Sequence, residues 1–162
     1  LDEAKARAAA QRQPGRSTKL IAIAGGVPHR LAGVGWGTSL QALRAIADVP
    51  GGQLMVGFGA ESPFDPNDRA AAVAAIRAFA PAAELVASAS YDWCADPFAR
   101  GTWFAPPVGW FTDGTFEALE RPVGRLAFAG SDVSSWEPGW IEGAIASGGK
   151  AAGDASSILG AR

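Results

Sequence analysis

The stretch Gly124 to Gly149, GRLAFAGSDVSSWEPGWIEGAIASGG, constrains the fold more than any other part of this 162-residue chain. A short apolar run, Leu126 to Ala129, reads as a strand. It leads into a small-residue turn at Gly130 and Ser131, with an acid at Asp132. Further on, Gly139-Trp140-Ile141-Glu142-Gly143-Ala144 opens a small-residue helix, expected to span 139–153. A helix start offers unpaired backbone N–H groups and a partial positive charge, so it attracts anions and electron-rich carbonyls. Glycine lets a bulky ligand come close to the backbone. The stretch is suited to holding something large, flat and partly anionic. The plain alternative is an ordinary strand–loop–helix unit whose glycines serve packing.

Composition narrows the rest. A net charge of −2 leaves no basic footprint for nucleic acid or an anionic membrane. No run approaches the ~20 apolar residues of a membrane span, and the opening residues lack the apolar segment of a signal peptide. A cytoplasmic protein is expected. The single cysteine, Cys94, and single histidine, His29, leave no disulfide framework and no thiolate or imidazole metal site. With 48% hydrophobic and 19% charged residues the chain is globular rather than disordered. Its six tryptophans serve either a core or an aromatic pocket.

Along the chain, residues 1–11 read as a helix stopped by Pro14-Gly15. Leu20–Ala24, Gln53–Gly59 and Glu84–Ser90 read as strands, while residues 29–40 hold at most an irregular one. Gln41–Asp48 fits either a helical turn or a strand before Pro50-Gly51-Gly52. Residues 62–67 form a turn and helix-cap cluster. The clearest helix runs from Asp68 to Ala80, with Val73, Ile76 and Phe79 on one stripe. Residues 91–111 scatter aromatics among turn residues and read as a shaped loop.

The tail resembles the C-terminal FAD-binding segment of the flavin-dependent amine oxidases, the monoamine and polyamine oxidase family. The matching residues are Phe128-Ala129-Gly130-Ser131-Asp132, Trp136, Gly139 to Ala144, and Ser147-Gly148. Tyr91-Asp92-Trp93, Asp96-Pro97-Phe98 and Gly101-Thr102-Trp103-Phe104-Ala105-Pro106-Pro107-Val108-Gly109 resemble the family's approach to its active-site wall. Gly15-Arg16-Ser17-Thr18-Lys19 resembles its glycine-to-lysine segment. The match covers roughly residues 12–153. The Gly-x-Gly-x-x-Gly turn that would hold the pyrophosphate is not found, and Gly33-Val34-Gly35-Trp36-Gly37 has neither its spacing nor its acid. With Leu1 in place of an initiator Met, the chain is expected to be the C-terminal part of a longer oxidase or a processed piece of one.

The resemblance implies roles for particular residues. Lys19 would hold a water beside the flavin and stabilise developing negative charge; a solvated edge lysine is the alternative. Trp103 and Trp140 would form an aromatic cage through which the amine approaches. The family has a tyrosine at one of these positions at least, so this gap would be bulkier and would lack phenolic hydrogen bonds; two core tryptophans are the alternative. Gly130, Ser131 and Asp132 would meet the FAD pyrophosphate and ribityl chain. The N–H groups of Gly139, Trp140 and Ile141 would face the flavin edge that becomes anionic on reduction. Thr102 stands where some members attach FAD through a cysteine, so the FAD is expected to be non-covalent, with Cys94 a packing residue. Asp92, Asp96 and Arg100 are read as local caps and ion pairs rather than a general base.

The expected fold is mixed α/β, with residues 1–110 part of a mixed-sheet substrate domain and 111–162 the C-terminal segment of a Rossmann-like FAD domain. The implied reaction is oxidation of an amine or amino acid by hydride transfer to flavin. Imine hydrolysis and reoxidation by oxygen, giving hydrogen peroxide, would follow. The expected partners are a small amine and the N-terminal FAD-binding half, on this protein or on another chain; oligomeric state is left open. Two other readings stand beside it: a desaturase-like or porphyrinogen-oxidase-like flavoprotein, and a non-catalytic piece that docks on a nucleotide-binding chain.

Overall fold

A computed structural model describes residues 3–11, 15–59, 65 and 67–160. The chain divides into two compact units, Gly15–Thr102 and Leu1–Pro14 together with Trp103–Arg162. The first helix groups with the C-terminal residues.

The Gly15–Thr102 unit is a five-stranded sheet, β1 (Thr18–Gly25), β2 (Ala32–Val34), β3 (Ala42–Val49), β4 (Gly52–Gly59) and β5 (Glu84–Ala89), in the order β2-β3-β4-β1-β5. The strand over 41–48 wins over the helical turn because Pro50 and Gly51 close a tight hairpin into β4. Among the described residues every pairing of this sheet is antiparallel. Alternation along β1 buries Leu20, Ala22 and Ala24. These pack with Met55 of β4 and with Ala72, Ala75 and Ile76 of α2 (Arg69–Arg77). Asp68 caps α2 by accepting from the N–H groups of Ala70 and Ala71. The cap cluster expected over 62–67 lies largely outside the described residues. Gly33 and Gly35 make room for the Phe79 ring: a Cβ on Gly33 would lie 2.7 Å from it. Neither is needed for a nucleotide turn.

The other unit holds α1 (Glu3–Gln11), α3 (Thr115–Glu120) and α4 (Ile141–Gly160). Its core is aromatic: Trp110 and Phe116 pack edge to face at 5.8 Å, joined by Ala8, Phe104 and Leu119. Helix α1 belongs here because Gln11 Oε1 accepts from Trp110 Nε1 at 2.8 Å and Lys5 bonds to α3. Helix α3 was not expected; the Asp113-Gly114-Thr115 turn, with Asp113 accepting from the Thr115 N–H, was its readable start signal. Leu126–Ala129 is extended but is not a strand. Among the described residues it pairs through one isolated bridge, Leu126 to Val123, and a segment becomes a strand only beside a partner. Helix α4 starts later than expected, because Gly139 has φ 81°, and runs on to Gly160 because no proline interrupts it. Among the described residues no helix is long and apolar enough to cross a membrane.

Candidate functional site

Lys19 sits on β1 with its side chain on the face away from α2. Its neighbour Leu20 points into the core. Ile21 and Ile23 of β1 lie on that same outer face. In antiparallel register Phe58, Val56 and Leu54 of β4 stand opposite Lys19, Ile21 and Ile23. Lys19 is therefore a cation at the end of a half-exposed apolar wall. Its Nζ lies 5.5 Å from the Phe58 ring centroid.

The unit also joins two segments that are far apart in sequence. The Ser17 N–H donates to Thr102 Oγ1 at 2.7 Å, the two hydroxyls lie 2.8 Å apart, and the Thr102 N–H donates to Gly15 O at 3.1 Å. The Gly15–Lys19 segment and the residue before Trp103 are thus one structure. Thr102 has no sulfur for a thioether, and its hydroxyl is engaged by Ser17.

In the other unit Trp103 and Trp140 are each 66% exposed, so neither belongs to the core of this unit. Their chain neighbours meet: a Cβ on Gly139 would lie 3.2 Å from Phe104 Cβ. The structure thus brings the Trp103 and Trp140 motifs to one place.

Gly130 is the centre of the turn. At φ 145°, ψ 161° it occupies a region essentially reserved for glycine. A Cβ there would meet nothing within 4 Å, so the glycine serves the backbone angle and leaves its surroundings open. Buried Ser147 of α4 locks it: Ser147 Oγ accepts from the Gly130 N–H at 3.0 Å and donates to Gly130 O at 2.9 Å. Ser131 Oγ donates to Asp132 Oδ1 at 2.8 Å, so this acid accepts locally.

Two of the three amides expected to face a ligand are engaged within the chain. The Gly139 N–H donates to Ser131 O at 3.1 Å and the Trp140 N–H to Glu137 O at 3.2 Å. Helix α4 begins only at Ile141, so the first-turn amides without an intrahelical carbonyl are those of Ile141, Glu142 and Gly143. The helix end with free amides lies two residues further along than the sequence implied, and of the three expected amides it includes only that of Ile141. A glycine turn with open space, tied to a helix start with exposed Trp140 beside it, fits a flat, anionic nucleotide-type cofactor.

The loop acids behave as caps. Asp92 Oδ1 accepts from the N–H groups of Cys94 and Ala95, and Asp96 Oδ1 from those of Phe98 and Ala99. The Ala99 N–H, the Tyr91 hydroxyl and the Phe98 N–H hold the Asp96 carboxyl below the usual carboxylate range. Arg100 Nε donates to Pro97 O, a backbone contact in place of the expected ion pair. Cys94 is half-buried. Ser147 belongs to the matched tail, but its bonds to Gly130 are set by the fold. The placement of Phe58 opposite Lys19 depends on strand register, which the sequence does not spell out.

Over residues 3–156 the chain matches the family described as flavin containing amine oxidoreductase. It is 42% identical over 93 residues to (S)-6-hydroxynicotine oxidase of Paenarthrobacter nicotinovorans, covering 57% of this chain and 22% of that protein. To pseudooxynicotine dehydrogenase of a Pseudomonas species it is 41% identical over 98 residues, covering 60% and 20%. Among solved structures, cyclohexylamine oxidase from Brevibacterium oxydans superposes with a TM-score of 0.72 at 24% identity, over 98% of this chain and 39% of that one. Putrescine oxidase bound to putrescine gives 0.72 at 19%, over 100% and 38%. The chain thus spans about a fifth of these curated relatives and under two fifths of the solved chains.

Proposed function

The chain belongs to the flavin-containing amine oxidoreductase family, whose cofactor is FAD, and from that premise we propose that it carries the amine-facing and flavin-edge parts of an enzyme that oxidises amines. Bound FAD would supply the oxidation by accepting a hydride from the amine-bearing carbon, and oxygen would take the electrons as hydrogen peroxide. The resulting imine would add water and break down to a carbonyl compound and a freed amine or ammonia.

The observation that carries this reading is the Gly130–Ser147 lock beside exposed Trp140. It presents an open glycine turn and a helix start together. Ser131 and Gly130 would meet the pyrophosphate and ribityl chain, with Asp132 reaching ribityl hydroxyls. Ile141 would offer its N–H to the flavin edge. Trp103 and Trp140 would flank the approaching amine, and their quadrupoles favour a cationic or polarised nitrogen. Lys19 would hold a water and stabilise negative charge. The FAD would be non-covalent, since Thr102 stands at the attachment place. Residues 1–110 would belong to the substrate side and 111–162 to the FAD side.

Two further points refine the reading. The paired tryptophans, and relatives whose names denote hydroxynicotine and pseudooxynicotine, support a substrate amine carried on a flat aromatic group. Ile141, Ile145 and Leu159 stand exposed on α4. They support cover by a nucleotide-binding part, on the same protein or on a partner chain.

The test is Trp140→Ala in the FAD-loaded enzyme. Amine turnover should fall about two- to thirtyfold, the range of a partly desolvated cation–π contact, with flavin absorbance and FAD content unchanged. Anaerobic bleaching of the flavin by amine, followed by oxygen uptake on aeration, reads the acceptor. Unaltered turnover in the variant sinks the cage, and no flavin uptake by the wild type sinks the whole reading.

A further inference from the structure

We propose that Phe58 is the positioning residue for Lys19, holding the ammonium by its ring face at the edge of the apolar sheet wall; the proposal rests on the reading of Lys19 given above. A surface lysine has four rotatable carbons and loses most of its rotamer freedom when it is made to act at one point. Here its backbone is already fixed. Ser90 Oγ donates to Lys19 O at 2.7 Å from the β5 side, Leu20 is fully buried beside it, and Ser17 is tied to Thr102. What remains free is the side chain, and the one described group whose ring faces its Nζ is Phe58, directly opposite in the β1–β4 register and 5.5 Å away at the centroid. The ring's negative face attracts the cation without accepting a hydrogen bond. All three ammonium donors therefore stay available for a water or a reacting group. A carboxylate in place of the ring would neutralise the charge and take a donor. The half-buried phenyl at position 58 is thus suited to steering a lysine that must remain a donor.

Four variants decide it: Phe58→Leu, Phe58→Tyr, Lys19→Met and the Phe58→Leu/Lys19→Met double. Two measurements are made on the FAD-loaded enzyme. In 13C-lysine-labelled protein, the Lys19 ε-methylene protons, assigned by their disappearance in Lys19→Met, should sit upfield of other exposed lysines through the ring current. They should move back in Phe58→Leu and stay in Phe58→Tyr. In turnover, Phe58→Leu should lower kcat about two- to fivefold, the size of an exposed cation–π contact, with KM and FAD content little changed. Phe58→Tyr should restore it, and the double variant should be no slower than Lys19→Met, since the ring acts only through the lysine. An unmoved Lys19 resonance in Phe58→Leu overturns the proposal, as does a Phe58→Leu loss that persists in full on the Lys19→Met background. If Lys19→Met itself turns over normally, the reading of Lys19 has failed; if Lys19→Met is impaired and Phe58→Leu is not, only the positioning has failed.

Discussion

In the sheet unit, Leu20, Leu40, Leu43, Met55 and Ile76 are closed off from water by α2 and by one another. In the other unit the longest helix, α4, buries only Gly143 and Ser147, while Ile141, Ile145 and Leu159 face outward. The first unit closes these five side chains into one core beneath α2. The second packs α4 to its turn through small residues and two hydrogen bonds at Gly130, and keeps the large apolar residues of that helix on the outside. A helix held close by small residues can bring its N-terminus beside a glycine turn, which a layer of leucines between them would prevent. The difference separates a sheet face covered by its own helix from a long helix that turns its apolar side chains outward.

The contrast makes its largest prediction in the cores. Leu20→Ala should cost about 2–5 kcal/mol, by lost transfer energy and a cavity that the sheet cannot close. The same truncation at Ile145, 71% exposed, should stay within about 0.5 kcal/mol in this chain by itself. Chemical denaturation reads both; comparable losses would break the contrast.

Two glycines sharpen it. Gly52 in the β3–β4 hairpin has φ 137° and Gly130 has φ 145°. A Cβ on Gly52 would run into the Ala24 carbonyl, whereas one on Gly130 would meet nothing within 4 Å. Gly52→Ala therefore carries backbone strain of about 1–3 kcal/mol and a clash with a rigid strand. It should destabilise without any particular loss of FAD affinity. Gly130→Ala carries the strain alone and should lose FAD affinity out of proportion to stability. Thermal melts and FAD titration of the two variants separate these effects, and equal FAD affinities would remove Gly130 from the cofactor site.

The sheet was legible because its signals are local. Alternation in Leu20–Ala24, the Pro50-Gly51 hairpin and the Asp68 cap need no knowledge of the rest of the chain. The Gly130 turn and the helix start after it were also legible from the residues, whereas cage roles for Trp103 and Trp140 came only from the resemblance. What escaped reading depends on partners distant in sequence. Leu126–Ala129 has the composition of a strand but, among the described residues, pairs only through the Leu126–Val123 bridge. The Gly139 and Trp140 amides are taken by Ser131 and Glu137, and neither contact follows from helix spacing. The approach of Lys5 to α3 is equally invisible in a stretch that reads as an ordinary Ala-rich helix.

Lys5 is the next test of the C-terminal unit. It is 3% exposed, and its Nζ donates to Leu119 O at 2.7 Å and to Ala118 O, capping α3, while lying 4.4 Å from the Phe128 ring centroid. A buried cation here completes the end of a short helix, where a positive charge is favoured, and pins the residue two places before Gly130. Lys5→Met preserves the stem but leaves two carbonyls without their donor, so a loss of about 1–3 kcal/mol is expected. A loss confined to a few tenths in a thermal melt would show that α1 contributes little to this unit.

The smallest effect belongs to the 91–100 loop of the sheet unit. The Ala99 N–H, then the Tyr91 hydroxyl, then the Phe98 N–H hold the Asp96 carboxyl below its usual range. A carboxylate with a lowered folded pKa stabilises the loop above the unfolded value of about 3.9, and that contribution drains away as the pH falls through the lower folded value. The Ala99 amide resonance should therefore titrate with a midpoint below about 3.9 and report loosening only in strong acid. The loop's shape should not change across the neutral range, where an amine oxidase would be assayed. A midpoint at or above the ordinary carboxylate value would mean that these three donors do not hold the Asp96 carboxylate in solution.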